Sequence, residues 1–124
     1  MKQKIEYHSV ESLIPYARNA RTHSLEQIRQ IVASINEFGW TNPVLIDGDN
    51  GIIAGHGRVM AAQELRMTEV PCVELSHLTE IQKRAYILAD NKLALNAGWD
   101  DVLLNLELQE LYGDGFDIEL TGFT

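Results

Sequence analysis

The stretch Gly51-Ile52-Ile53-Ala54-Gly55-His56-Gly57-Arg58-Val59-Met60-Ala61-Ala62 leaves the chain little choice of local structure. Its β-branched opening suits an extended strand. Two glycines around a histidine then permit a sharp turn and a close approach of backbone to a ligand. Val59 to Ala62 continue as helix. The first turn of a helix leaves N–H groups unpaired and carries partial positive charge. Arg58 falls in that turn, where a cation is unfavourable unless an anion is present. Such a turn can bind phosphate. The same residues also fit an ordinary strand–turn–helix corner with a solvated arginine.

The rest of the chain surrounds this turn with a small α+β core. Ile5 to Val10 alternates apolar and polar residues and reads as a strand. Pro15 punctuates a connection, and residues 17–23 form a polar loop. Ser24, with Gln27 three residues on, opens a helix in the capping-box pattern. Leu25, Ile28, Ile31, Val32, Ile35 and Phe38 then share one face of it, and Gly39 ends it. Strands are expected over 43–47, 52–54 and 70–75, with a turn at 48–51. Helices are expected from Gly57 to about Arg66 and from Thr79, which repeats the capping box with Gln82. The second of these is expected to turn Ile81, Ala85, Leu88 and Ala89 inward and to end at Asp90-Asn91-Lys92. Asp100 or Asp101 caps a last helix with Leu103, Leu104, Leu108 and Leu111 on its apolar faces, ended by Gly113 and Gly115. Residues 116–123 alternate but have no evident partner strand. The layout divides into a core over 1–78 and a helical extension over 79–124.

At 124 residues, one domain with a real core is expected. The net charge of −8 is uneven: all ten Lys and Arg lie at or before Lys92, whereas 93–124 holds seven acids and no base. Phosphate contacts dominate most DNA affinity, so this balance argues against a tight, free-standing DNA-binding module. No apolar run approaches the roughly 20 residues of a membrane span, and no apolar signal region follows Met1. A cytoplasmic protein without a membrane partner is expected. Cys72, the one cysteine, lies in an apolar run and reads as a buried structural thiol.

Several constellations can carry chemistry. Gly55, Gly57 and Arg58 would bind phosphate through backbone N–H groups and a guanidinium, which suits paired phosphate oxygens. His56 could donate to that phosphate or act as a catalytic acid or base. Arg18, Asn19, Arg21 and His23 form a loop that could close over an anion, or simply a solvated loop. Asp90 beside Asn91 could hold Mg²⁺ through oxygen ligands, or cap a helix end. Gly39, Trp40, Thr41 and Asn42 could line a base pocket, or form a helix stop with a core aromatic. Zinc ligand spacing, a G-x-S-x-G elbow and a dinucleotide fingerprint do not occur.

Taken in order, these segments resemble the ParB N-terminal domain, of the ParB/sulfiredoxin fold: a small mixed sheet with packed helices, here with the C-terminal helical extension. In partition ParB proteins the turn reads Gly-Glu-Arg-Arg and holds the phosphates of CTP with Mg²⁺. Here it reads Gly55-His56-Gly57-Arg58, so Gly55 and Arg58 match. In sulfiredoxin a cysteine stands at the place of His56, so sulfinic-acid reduction is not implied. The chain is more similar to the phage and prophage ParB-like domain joined to a DNA-modification methyltransferase. That likeness rests on Ala17-Arg18-Asn19-Ala20-Arg21-Thr22-His23-Ser24, on the glycine turn, on Gln82-Lys83-Arg84-Ala85-Tyr86 and on residues 89–99, so it covers nearly the whole chain. Asp90-Asn91 falls where ParB proteins carry a Glu-Asn that helps hold the metal–triphosphate. Methyltransferase catalytic motifs do not occur in these residues.

The resemblance implies a regulatory module that binds a nucleoside triphosphate, CTP or ATP, with Mg²⁺. Weak NTPase activity is compatible with it. It also implies a homodimer, a methyltransferase domain in the same or a partner chain, and DNA engaged indirectly. Two other classes fit in part. One is a metal-dependent DNA nuclease using His56 or His23 as base and Asp90 for metal. The other is an interaction module with a vestigial pocket.

Overall fold

The computed structural model describes residues 3–123. Four strands, β1 (Ile5–Ser9), β2 (Val44–Ile46), β3 (Ile52–Ala54) and β4 (Glu69–Glu74), form one sheet in the order β1-β4-β2-β3. β4 pairs antiparallel with β1 and parallel with β2, so the sheet is mixed. Four helices accompany it: α1 (Leu25–Phe38), α2 (His56–Glu64), α3 (Glu80–Asn96) and α4 (Asp101–Gly113).

Side chains of a strand alternate between faces, and both faces of this sheet are covered. Val44, Ile46, Ile52, Val70 and Cys72 join Val59 and Ala62 of α2 in one core cluster. Ile53, Val73 and Leu75 join Ile87 of α3 in the other, with Leu45 and Tyr86 against them. Cys72 is 1% exposed, as its apolar setting suggests. α1 packs along α2 through Ile28, with Ile31, Val32 and Ile35 half-buried. Ser24 Oγ accepts the N–H of Gln27, but Gln27 does not complete the capping box, because its side chain serves His23 instead. Thr79 and Gln82 do complete theirs.

Two expectations about the C-terminal part fail. α3 runs on to Asn96, so Asp90 and Asn91 lie within it and not at its end. Its buried residue is Ile87, whereas Ile81 and Leu88 are 78% and 59% exposed. The reason is placement: α3 crosses the sheet at the edge strand β3, so one middle turn reaches the core. Residues 116–123, for which no partner strand is evident in the sequence, form none. Asp117 accepts the N–H of Glu119 and opens a short 3-10 turn over Ile118–Thr121. That turn packs on α1, with Phe116 stacked on Phe38 at 6.2 Å between ring centres.

The division drawn at residue 78 falls just ahead of α3, whose Tyr86 and Ile87 help close the second cluster. Lys83 Nζ also donates to Asp47 Oδ2 at 2.9 Å, tying α3 to the β2–β3 turn. Beyond Asn91, α3 and all of α4 bury no residue, and they leave Leu93, Trp99, Val102 and Tyr112 exposed. Asp100 caps α4 by accepting from Val102 N and Leu103 N.

Candidate functional site

The glycine turn lies at the junction of β3 and α2. Gly55 caps α2 with φ +104°, a left-handed conformation that L side chains rarely adopt. The helix therefore starts at His56, one residue earlier than the sequence pattern suggests. Gly57 has ordinary backbone angles but no room for a side chain. A Cβ there would lie 3.0 Å from Ile31 Cδ1 and 3.1 Å from the His23 ring. One glycine thus supplies the turn, and the other lets α1 and the incoming loop close on α2.

The loop of residues 15–23 is pinned over this turn. Ile14 N donates to Asn50 O at 2.9 Å, and Ile52 N donates to Ile14 O at 2.8 Å. Tyr16 N donates to His56 Nε2 at 3.1 Å. At the far end, His23 Nδ1 and Gln27 Oε1 are 2.6 Å apart. Because His56 Nε2 accepts a hydrogen bond, the neutral ring carries its proton on Nδ1. Burial, and secondarily the nearby His23, push the His56 imidazole below its ordinary pKa of 6.5. The ring is a neutral donor, and its base nitrogen is already engaged.

Arg58, half-buried, follows in the first turn of α2. Its Nη2 donates to Pro43 O at 3.2 Å, while its Nε is buried without a partner. Burial disfavours its charge and Asp90 favours it. Asp90 Oδ1 accepts from Tyr86 Oη at 3.3 Å. Asn91 Nδ2 donates to Ile87 O at 2.9 Å, which leaves the amide oxygen free to accept or coordinate.

These groups enclose a cavity of about 220 Å³ lined by Asn19, Arg21, His23, Gln27, residues 53–58, Asp90 and Asn91, with Ile31 at its wall. Two predicted contributors are elsewhere. Arg18 lines a neighbouring groove with Tyr16, Arg84 and Leu88. Gly39, Trp40, Thr41 and Asn42 do not line the cavity; Trp40 packs against the cluster that holds Val44 and Val70. The turn from Gly39 leads straight into central strand β2, so the indole is drawn to the core. Four lining residues were not foreseen: Gln27, Ile31, Ile53 and Ala54. Gln27 and Ile31 are four apart on α1, a spacing that places them on one helix face.

The described residues hold no group of three or more His, Cys, Asp or Glu that could bind a metal alone. Mg²⁺ usually keeps waters and takes one or two protein carboxylates plus phosphate oxygens. Asp90 and the free Asn91 oxygen are two oxygen donors of that kind on one wall of the cavity.

A mixed sheet covered on both faces, with an arginine-bearing glycine turn at a helix start, defines a small α+β domain with a polar cavity at that turn. The chain belongs to the ParB N-terminal domain family, whose model matches residues 1–92. It is 61% identical over 83 residues to the ParB-like nuclease domain-containing protein YnaK of Escherichia coli K12, covering 67% of this chain and 95% of that one. Among solved structures it is similar to C-terminally truncated chromosome-partitioning protein ParB from Caulobacter crescentus, complexed with CTP-γ-S. The TM-score is 0.73 at 23% identity, covering 87% of this chain and 62% of that one. Sulfiredoxin from Arabidopsis thaliana has a TM-score of 0.56 at 18% identity, covering 68% and 97% respectively. Both structures share the fold. No described helix is long and apolar enough to cross a membrane.

Proposed function

We propose that the chain is a nucleotide-binding regulatory module that takes a nucleoside triphosphate, CTP or ATP, together with Mg²⁺. The observation that carries this reading is Arg58, whose buried Nε has no partner beside an α2 start that favours anions. Gly55, His56 and Gly57 supply the helix-start N–H groups, Arg21 and His23 approach from the facing loop, and Asp90 with Asn91 helps hold the metal. Bound CTP-γ-S in the ParB of Caulobacter crescentus supports the choice of CTP.

Nucleotide binding alters how α3 and α4 pack, and through their exposed apolar residues it governs dimerisation. The same surface docks a methyltransferase domain in this or a partner chain and brings the assembly to DNA. Calorimetry with CTP, ATP and GTP plus Mg²⁺, on wild type and Arg58→Ala, tests the reading. Binding lost in the variant supports it; absence of heat with every nucleotide refutes it.

The name of the Escherichia coli relative favours a second reading, a metal-dependent DNA nuclease. His56 is a poor base while Tyr16 N–H holds its Nε2. Mg²⁺- or Mn²⁺-dependent cutting of plasmid, abolished by His56→Ala, would establish that reading instead.

A further inference from the structure

Two histidines share the cavity, and their hydrogen bonds give them different proton states. His56 is committed: Nε2 accepts from Tyr16 N, so a second proton would break the bond that pins the loop. His23 is arranged the other way. Its Nδ1 lies 2.6 Å from Gln27 Oε1, an acceptor, so Nδ1 carries a proton. Its Nε2 makes no hydrogen bond to a described residue. In the neutral ring that nitrogen offers a lone pair, which repels a phosphate oxygen. In the protonated ring it offers a charged N–H, which binds one.

The ring is fixed where this matters. It packs within 3.1 Å of the Cβ position at Gly57, against the first turn of α2. The ionisable groups that share the cavity with it are Arg21 in its own loop, His56 and Arg58 on α2, and Asp90 on α3; Gln27 on α1 is uncharged. A bound phosphate brings negative charge up to the free Nε2.

We infer that His23 takes up a proton when a phosphate-bearing ligand enters the cavity, so that binding is coupled to pH, while His56 remains a neutral donor. The inference rests on the phosphate reading of the same cavity. Linkage fixes the consequence. The slope of log Kd against pH equals the number of protons taken up on binding, so one proton weakens affinity tenfold per pH unit.

The test is calorimetry of the full chain with CTP and Mg²⁺ between pH 6.5 and 8.5, in buffers of different ionisation heat. Wild type is expected to take up as much as one proton and to lose up to about tenfold in affinity per pH unit. His23→Gln removes that uptake, leaving the nucleotide's own titration, and His77→Gln, outside the cavity, retains it. Binding by wild type with the same uptake and slope as His23→Gln overturns the inference and leaves the phosphate site standing. Failure of CTP, ATP and inorganic triphosphate to bind at any pH overturns the phosphate reading, and this inference with it. Should His23→Gln fold poorly, nitrogen NMR of the wild-type imidazoles decides. His23 Nε2 becomes protonated on adding CTP and Mg²⁺ if the inference holds, and stays unprotonated if it does not.

Discussion

Replacing Gly57 by alanine separates what a helix wants from what this site needs. Within a helix the change should stabilise by about 1 kcal/mol, from propensity alone. The structure predicts the opposite sign. The new methyl would sit 3.0 Å from Ile31 Cδ1 and 3.1 Å from His23 Cε1 and Nδ1. Ile31 Cδ1 is the far end of a flexible side chain and yields at small cost. The His23 ring cannot follow without giving up its 2.6 Å bond to Gln27. Overpacking a filled contact costs about 1–3 kcal/mol, and a lost hydrogen bond about 1 kcal/mol. Set against the propensity gain, the net is a loss of about 1–3 kcal/mol. Urea unfolding should show a midpoint lowered by roughly 0.5–1.5 M with an unchanged slope. CTP affinity should fall further than the loss of stability accounts for, because His23 is displaced from the cavity. Adding Ile31→Val removes the Cδ1 clash and should recover part of the loss, a coupling of about 0.5–1 kcal/mol in a double-mutant cycle. Gly57→Ala at wild-type stability or above, with CTP binding intact, would refute the seating of α1 and His23 on α2.

Three further outcomes follow from single residues. Arg66 has φ +56° at the end of α2, where its N–H and that of Met67 close onto Gln63 O and Ala62 O, so Arg66→Gly should raise stability by about 1 kcal/mol in thermal or urea melts. Burial acts to raise the Asp47 carboxyl, but Lys83 and the N–H groups of Gly51 and Asp49 outweigh it and hold the group below its ordinary 3.8. The stability this contributes is complete above pH 3.8 and is lost as pH falls through the lower folded value. Asp47→Asn should therefore be less stable than wild type at pH 6, and the gap should narrow as pH falls below 3.8 in urea titrations. Cys72 is buried and its thiol is pushed up by burial, so it should react with a disulfide reagent only as fast as the chain unfolds.

Much of the core was readable because it depends on local pattern. α1 follows from its apolar stripe and Ser24, and the β3–α2 corner from two β-branched residues and Gly55. Errors occur where tertiary placement decides. Asp90-Asn91 resembled a helix end, yet no glycine or proline follows before Gly98, and the backbone simply continues. Trp40 had the chemistry of a base platform, but the strand that follows it enters the centre of the sheet. The alternation at 116–123 offered no partner strand even in the sequence; its docking on α1 is what local pattern does not reveal. In the site, the glycine turn, Arg21, His23, Arg58 and Asp90 were legible as chemistry. Gln27 and Ile31 were not, since their role comes from how closely α1 approaches Gly57.

The strand order has a consequence for how the chain acquires its shape as it is made. β2 and β3 are neighbours in sequence and can pair early, as a hairpin. β1 has no partner until β4 exists: Ile5 lies opposite Val73, and Ser9 opposite Glu69. β1 therefore waits, unpaired, for a strand made about 60 residues later. β4 then inserts between β1 and β2 and completes the sheet in a single event of high sequence separation, the slow kind of step in folding. A nascent chain stalled before residue 69 would hold the glycine turn without the sheet that supports it. Ligand binding should accordingly switch on abruptly with chain length, once β4 and the α3 residues Asp90 and Asn91 have emerged.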